Sequence, residues 1–490
     1  MNVLSHILYI LVFLSVAVAV PAHRLAENAS LVLTMGTLGM WRYGWGAINF
    51  VRATIFIHIV HPRRRAAVTS RYLERQRPAH SFFLVTTYKV DTAVTARVYR
   101  SLFNAAAASR GGATVVASIV DTADERLIRR IYSLMKARTA HVRLIIDRIP
   151  ATGKRDALAT SLRIIARQCP MPDDIVVLID GDSCPPEDLV ETCAPFFVDP
   201  KIGAVTTDED CEIEESRLFR DWFNLRFTQR HMMMSSMGLS GRVLTLTGRL
   251  SIFRASLACD PDFIDNVQHD WLAHWRLGTV KFLTGDDKST WFWLLKRGYE
   301  MAYLPDVRSV SMESQPKPGF VDSAVALMLR WFGNMLRTNG RALALGPHRI
   351  GWFTWWSVLD QRISMWTTLF GPATVVMSAV LISPLVLPLY LAWVMFTRYI
   401  YCCLLTTFRP AFPITYPFLL YFSQISGALV KTFVLFRLDR QKWTRQSTAR
   451  RARRSASLSE RLRNLSSTYV HMLASAWLLF AAFMISTARM

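Results

Sequence analysis

No Cys-x-x-Cys spacing occurs in this chain, and its seven cysteines are an odd number, so neither a zinc site of that type nor a disulfide framework is written into it. Adjacent Cys402 and Cys403 sit in an apolar run, as core or lipid-facing residues would, and free thiols place the polar part of the chain on a reducing side. Acidic residues are scarce: 36 Asp and Glu face 58 Lys and Arg. The formal charge of +22 excludes a chain that avoids polyanions and leaves nucleic acid, anionic lipid or an acidic substrate as partners. Charge of either sign is thin, 19% of residues against 51% apolar. That excludes an intrinsically disordered chain, and it is too apolar for three ordinary soluble domains over 490 residues. A membrane protein is what remains.

Apolar runs near the roughly 20 residues that cross a bilayer gather at the two ends. Residues 3–20 and 31–60 read as two spans separated by a short polar turn. Ala17-Val18-Ala19 also fits a leader cleavage site, although no Lys or Arg precedes the apolar run. His61-Pro62-Arg63-Arg64-Arg65 follows directly, and the positive-inside rule puts this end and the stretch to about 350 in the cytoplasm. The C-terminal block offers 363–383, 386–408, 414–436 and 468–487. Residues 437–464 between the last two hold ten Arg or Lys. Three crossings before this loop would put it outside, and two keep it inside. The stretch 414–436, which carries Gln424, Ser426 and Lys431, is therefore expected to lie at the membrane surface, with four full spans as the alternative. Trp352, Trp355 and Trp356 suit another helix at the headgroups. The resulting plan is two N-terminal transmembrane helices (1–61), a soluble domain (62–345), interfacial and transmembrane helices (346–436), a basic cytoplasmic gating loop (437–466) and a last transmembrane helix (467–490).

The middle domain alternates short β-rich runs with helical stretches, the pattern of an α/β layer fold with a mostly parallel sheet. Strands are expected at 81–87, 113–120, 142–147 and 175–179, the last apolar throughout and so buried on both faces. Ligands in such sheets bind beyond the carboxyl ends of the strands. Polar groups fall there in succession: Tyr88 and Asp91, then Asp121, then Lys154, then Asp180 and Asp182. Asp180-Gly181-Asp182 is the sharpest element, because two carboxylates flanking a glycine suit a hard divalent cation, and a diphosphate is the anion that such a cation bridges.

Thr87-Tyr88-Lys89-Val90-Asp91, Asp121, Thr152-Gly153-Lys154-Arg155, Asp180-Gly181-Asp182, Gly248 to Arg254, Gly285-Asp286-Asp287, Arg330-Trp331 and Lys442-Trp443-Thr444-Arg445 occur in one order. That order resembles the membrane-embedded family 2 glycosyltransferases, the processive synthases of cellulose, chitin and hyaluronan, over nearly the whole chain. Within them the sequence is most similar to the mannuronan synthases of bacterial alginate biosynthesis, through FLTGDDKSTWF, LRWFGNMLRTNGRAL, GWFTWW and FRLDRQKWTRQ. The resemblance implies a cytoplasmic GT-A domain flanked by transmembrane helices in the bacterial inner membrane. It implies GDP-mannuronic acid as donor, Mg²⁺ or Mn²⁺ as cofactor, and a polyuronate product extruded through the membrane. Tyr88, Asp91, Asp121 and Lys154 would serve the nucleotide, Asp180 and Asp182 the nucleotide and metal. Asp287 would be the general base with Asp286 beside it. Trp331, Arg249 and Ser251 would meet the acceptor, and Arg330, Trp443 and Arg445 the diphosphate side. Two departures stand out: Leu327 replaces the Gln of the family's Gln-x-x-Arg-Trp signature, and the Trp-Gly-Thr-Arg gate lacks its glycine.

Arg42, Arg52 and Arg398 fall inside apolar stretches, where each would cost roughly 2.5–3.5 kcal/mol on insertion scales. Facing a channel, they would offset the desolvation of a passing polyanion; snorkelling or pairing with an acid is the other explanation. Asp208 and Asp210 follow another strand, from where they would line the acceptor groove. Met232, Met233, Met234 and Met237 read as packing residues, and His231 as a histidine without a metal role. No RNA-binding fold accompanies the basic loop, so nucleic acid is not an expected partner; membrane lipids are. No cyclic-dinucleotide receptor domain is recognisable, which assigns such control to a cyclic-di-GMP-binding partner, alongside envelope export proteins. A hyaluronan-, chitin- or cellulose-like synthase, a lipid-linked sugar transferase and a non-catalytic scaffold are the competing readings.

Overall fold

The computed structural model describes residues 3–19, 29–75, 77–214, 216–441 and 458–487. Helices α1 (Val3–Ala19) and α2 (Ala29–Ile55) open the chain, and α2 runs through a π-helical turn, Phe56–Val60, into α3 (His61–Leu73). The soluble domain then alternates β1 (Ser81–Thr87), α4 (Thr92–Ala108), β2 (Ala113–Ile119), α5 (Thr122–Leu134), β3 (Val142–Arg148), α6 (Lys154–Ala166) and β4 (Ile175–Asp180). All four expected strands are present. Strands β5 (Ser183–Cys184) and β6 (Ile202–Glu212), helix α7 (Arg217–Gly238) and strand β7 (Leu250–Arg254) follow. The hairpin β8 (Trp271–His274) and β9 (Gly278–Lys281), α8 (Asp286–Arg297), β10 (Glu300–Met312) and α9 (Phe320–Ala344) complete the domain.

Eight strands form one sheet in the order β3-β2-β1-β4-β7-β6-β10-β5. The pairs β2/β3, β1/β2, β1/β4 and β6/β10 are parallel; β7 runs antiparallel to both of its neighbours. Strand β4 is central, and residues 175–179 are buried because helices cover both sheet faces. Phe83, Val85 and Val115 pack one face against Leu102 and Phe103 of α4 and Ile128 of α5. Phe82, Leu84 and Val176 pack the other against Leu158 and Leu162 of α6 and Trp291 of α8.

The C-terminal block is α10 (Trp352–Leu381), α11 (Val386–Leu405), α12 (Tyr416–Leu435) and α13 (Leu458–Thr487), each long and apolar enough to cross a membrane. The tryptophan cluster corrects one expectation. Trp352, Trp355 and Trp356 occupy the first turns of α10 itself, since nothing breaks the helical run between them and the apolar segment that follows. Both ends of α12 touch the soluble domain. Thr415, just before the helix, donates to Asp221 of α7 at 2.9 Å, while the carbonyl of Phe436, the first residue after it, accepts from Arg276 at 2.7 Å and Gln441, six residues past its end, donates to the Lys281 carbonyl at 2.8 Å. In between, the Trp222 indole N–H donates to Ser423 at 2.8 Å.

A second tie joins sheet and membrane block. Asp208 on β6 is fully buried and accepts from Arg409 at 2.8 Å and from Tyr303 at 3.0 Å, with His231 at 3.2 Å and Arg308 at 3.4 Å. Burial pushes its carboxyl up, yet the His231 hydrogen bond and the surrounding guanidinium groups hold it well below the ordinary aspartate value. Asp208 is thus spent on a structural cluster and does not line an acceptor groove. Asp208→Ala leaves Arg409 and His231 without their carboxylate, and the loss is expected at about 3–5 kcal/mol. Thermal unfolding of the lipid-reconstituted protein checks this; an unchanged midpoint would show that the cluster carries no load.

Candidate active site

The strand register puts the expected groups at one edge of the sheet. Thr86 pairs with Asp180, Thr87 with Ile119 and Ile119 with Arg148, so β1 to β4 end side by side. Tyr88 is half-buried there, with the Lys89 ammonium 5.3 Å from its ring centroid. Asp91 caps α4, accepting through Oδ1 from the amides of Ala93 at 2.8 Å and Val94 at 3.3 Å. Asp121 stands at the matching position before α5 without making a side-chain cap, and is exposed. Antiparallel β7 pairs Leu250 with Ile179, which carries Thr247, Gly248 and Arg249 to the end of β4. The Asp180 amide donates to the Arg249 carbonyl at 3.1 Å.

Lys154 ties this edge together. Its ammonium lies 2.7 Å from Asp180 Oδ1 and 2.9 Å from Asp286 Oδ2, joining the first turn of α6 to the end of β4 and the first turn of α8. Lys154, Asp180, Asp286, Asp287, Gly248 and Ser251 line one cavity. Two glycines set its shape. At Gly181 a Cβ would stand 2.7 Å from the Thr86 carbonyl oxygen, so no side chain fits between Asp180 and Asp182. Gly285, in the left-handed region at φ +82°, lets the chain turn directly into α8, and a Cβ there would stand 2.8 Å from Asn334. Asp286 and Asp287 then fall in the first helical turn, where the helix dipole favours negative charge.

The three carboxylates of the cavity, Asp180, Asp286 and Asp287, do not share one electrostatic fate. Burial works against the Lys154 charge, but Asp180 and Asp286 hold its ammonium protonated, above the ordinary lysine value. Burial likewise raises Asp286, yet Lys154 and Arg155 bring it below the usual carboxylate range. Asp180 is raised, through burial and then through Asp182 and Asp286 against the pull of Lys154. Asp287 is pushed up to about 6 by burial and by Asp286 alongside it. Lys288, next in sequence, is lowered to about 8 by burial and donates to the Leu244 carbonyl at 2.7 Å. A carboxylate of raised pKa beside an ion-paired one is the arrangement that separates acid–base roles.

Support from behind came from residues the sequence gave no role. Arg155 donates to the Val267 carbonyl at 2.8 Å, the Thr284 carbonyl at 3.2 Å and Ser289 Oγ at 2.8 Å. Ser289 donates to Asp270 at 2.5 Å, and Arg341 of α9 holds both oxygens of Asp270 at 2.6 and 2.9 Å. Arg155 adjoins the Thr-Gly-Lys motif, which was the one available signal. Among the acceptor candidates, Ser251 donates to the Thr247 carbonyl at 2.6 Å. Arg249 is held by Glu313 at 2.6 Å and Glu209 at 3.4 Å. Trp331 is half-buried and stacks on Trp222 with ring centroids 5.8 Å apart; Arg330 precedes it, half-buried, and Leu327, in place of the family's Gln, is buried. Trp443 and Arg445 lie outside the described residues.

Within the membrane block Arg42 pairs with Asp360 at 2.8 Å. Arg398 donates to Gln424 at 2.8 and 3.0 Å and to Tyr43 at 3.2 Å. Arg52 donates to Ser240 at 2.8 Å and lies 3.6 Å from the Phe353 ring centroid. Among the described residues no three His, Cys, Asp or Glu side chains converge as a metal cage. Asp180 and Asp182 form a two-carboxylate, hard-oxygen set, which fits a cation whose remaining ligands come from a diphosphate and water.

Residues 78–334 match the family described as glycosyltransferase like family 2. The chain belongs to that family. Its relatives include the proteins named glycosyltransferase alg8 from Pseudomonas syringae pv. tomato, 42% identical over 90% of this chain and 89% of the relative, and from Azotobacter vinelandii, 41% identical over 90% of each. A solved mannosyltransferase from Pyrobaculum calidifontis, in complex with GDP-Man and Mn²⁺, aligns at a TM-score of 0.45 and 18% identity over 78% of this chain and 98% of that one. The soluble part of this glycosyltransferase is a GT-A-like domain with a mostly parallel sheet.

Removing the central cation is the direct test of the site's electrostatics. Lys154→Met sets Asp180, Asp286 and Asp287 against one another in one cavity, so affinity for a nucleoside diphosphate should fall about tenfold or more. Isothermal calorimetry on the reconstituted protein reads this, and unchanged affinity would place the nucleotide elsewhere.

Proposed function

We propose that this glycosyltransferase is an inverting, processive synthase that polymerises GDP-mannuronic acid into β-1,4-linked polymannuronate, the alginate precursor, and passes it across the bacterial inner membrane. The observation that carries the reading is the cavity where Asp287, raised to about 6, stands beside the Lys154-bridged pair Asp180 and Asp286. Inversion needs an acceptor hydroxyl to attack opposite the departing diphosphate, so one carboxylate must take its proton. Asp287, raised to about 6, is deprotonated at neutral pH and is a stronger base than its ion-paired neighbour Asp286. Asp286 keeps it raised and fixes Lys154. Lys154 faces the diphosphate, and Asp180 and Asp182 would hold Mg²⁺ or Mn²⁺, which when bound neutralises the charge growing on the leaving group. Tyr88, Asp91 and Asp121 serve the nucleoside from the neighbouring strand ends, Arg330 with Trp443 and Arg445 the diphosphate side, and Trp331, Arg249 and Ser251 the acceptor.

The contacts of α12 with the soluble domain, at both of its ends, support its lying along the cytoplasmic membrane surface, since a helix of 20 residues is about 30 Å long and would carry one end across. That keeps the basic loop 437–466 inside with the catalytic domain. Arg42 and Arg398 then stand on the route of the polymer, with Arg52 at its cytoplasmic end. A cyclic-di-GMP-binding partner and envelope export proteins supply the control and onward transport, and anionic lipids meet the basic loop.

Two outcomes test the catalytic assignment. Asp287→Asn should keep GDP binding and lose transfer by about 10²-fold or more; near-normal turnover would move the base to another residue. In the wild type, activity requires Asp287 unprotonated, so kcat/KM should rise with pH through about 6 and then level. Asp286→Asn removes the neighbouring negative charge and should shift that acidic limb to lower pH. A limb that stays in place in Asp286→Asn would assign it to another group.

A further inference from the structure

Arg226 and Lys431 are cations in the protein interior that no carboxylate pairs with directly among the described residues. The Arg226 guanidinium on α7 lies 4.4 Å from the Trp331 ring centroid and 5.1 Å from that of Trp222. The Lys431 ammonium on α12 lies 4.7 Å from the ring centroid of Phe332, the next residue along α9. Among the described residues neither forms an ion pair or a side-chain hydrogen bond, in contrast to Arg249, Arg341, Arg409 and Arg42, each of which is paired with a carboxylate. The two are also links in a series. Arg226 is within electrostatic reach of Arg249, beside the catalytic cavity, and Lys431 is within reach of Arg226 on one side and of Arg42 and Asp360 on the other.

Like charges gathered in a partly desolvated interior repel one another and forgo water, which is costly unless an anion visits. An aromatic wall alone would hold Met or Leu at both positions at least as well. The partly exposed side chains leave both charges open to such a visitor. The two cations lie over the rings of successive α9 residues, Trp331 and Phe332, so a carboxylate that meets either of them is held beside the helix that carries the acceptor-side tryptophan. We infer that Arg226 and Lys431 form a carboxylate-reading subsite pair for the acceptor end of an anionic polysaccharide, between the catalytic cavity and the Arg42–Asp360 pair. Successive uronate carboxylates exchange from Arg226 to Lys431 as the chain advances, and a neutral chain, having nothing to place there, is disfavoured. The assignment rests on the proposed uronate product and adds the residues that select it.

The test uses the full chain in lipid vesicles, with GDP-mannuronic acid as donor and short oligomannuronates, or the same oligomers with their carboxyls reduced, as acceptors. In the wild type the acidic acceptor should be used at a KM about tenfold or more below that of the reduced one. Arg226→Gln and Lys431→Met should each raise the KM for the acidic acceptor by a similar factor, leave the reduced acceptor and the donor KM unchanged, and be partly rescued by Arg226→Lys and Lys431→Arg. Equal use of both acceptors by the wild type, or acceptor KM values that the neutral variants do not move, would overturn the subsite. A wild type that transfers no uronate from GDP-mannuronic acid, but does elongate with another sugar nucleotide, overturns the proposed donor and this inference with it.

Discussion

Three carboxylates from two distant stretches of chain, Asp180, Asp286 and Asp287, must coexist in one cavity, and a single ammonium makes that possible. Lys154 touches Asp180 and Asp286 together, so the end of β4 and the start of α8 are held at hydrogen-bond distance where they would otherwise repel. The consequences spread outward. With Asp286 paired and lowered, its neighbour Asp287 is left raised, so the two carboxylates at the start of α8 differ because only one of them is ion-paired with the lysine. Arg155, adjacent to Lys154, fixes the opposite side of the α8 turn through the Thr284 carbonyl and Ser289, so one helix start clamps another from two directions. Arg341 and Asp270 extend that clamp into α9, the helix that also carries Trp331.

A similar logic joins the catalytic domain to the membrane block. Asp208 is buried on the sheet but meets Arg409, which stands in the connection between α11 and α12. Trp222 reaches Ser423 while stacking on Trp331. The glycosyltransferase sheet and the apolar helices are thereby packed against each other through buried polar contacts as well as apolar ones.

The β1 to β4 strands and the row of polar groups at their ends were readable from the sequence, because a short continuous apolar run such as Ile175 to Ile179 has few other places to go and the acids follow it at once. Asp180, Asp182, Asp286 and Asp287 were visible for the same reason, as charged groups directly after apolar segments or glycine turns. The pairing among them was not. Lys154 and Asp286 are brought together only by the way α6 and α8 start at one sheet edge, which no local spacing records. Asp208 looked like a groove residue because its partner Arg409 lies about 200 residues away, in the short connection between two apolar stretches. Lys431 was legible as a misfit in an apolar stretch, but Arg226 sits in an ordinary amphipathic run and shows its meaning only beside Trp222 and Trp331. The tryptophans at 352, 355 and 356 suggested a headgroup helix of their own, since composition cannot tell a separate helix from the first turns of a longer one.

Donor preference with product length tests the account most directly. Vesicles containing the full chain, supplied in turn with labelled GDP-mannuronic acid, GDP-mannose and UDP-activated neutral, amino and acidic sugars, should yield a long acidic polymer from GDP-mannuronic acid alone. That product should remain in the aqueous phase on organic extraction. A neutral polymer made from a neutral donor, or a single labelled residue that partitions into the organic phase with lipid, would contradict it.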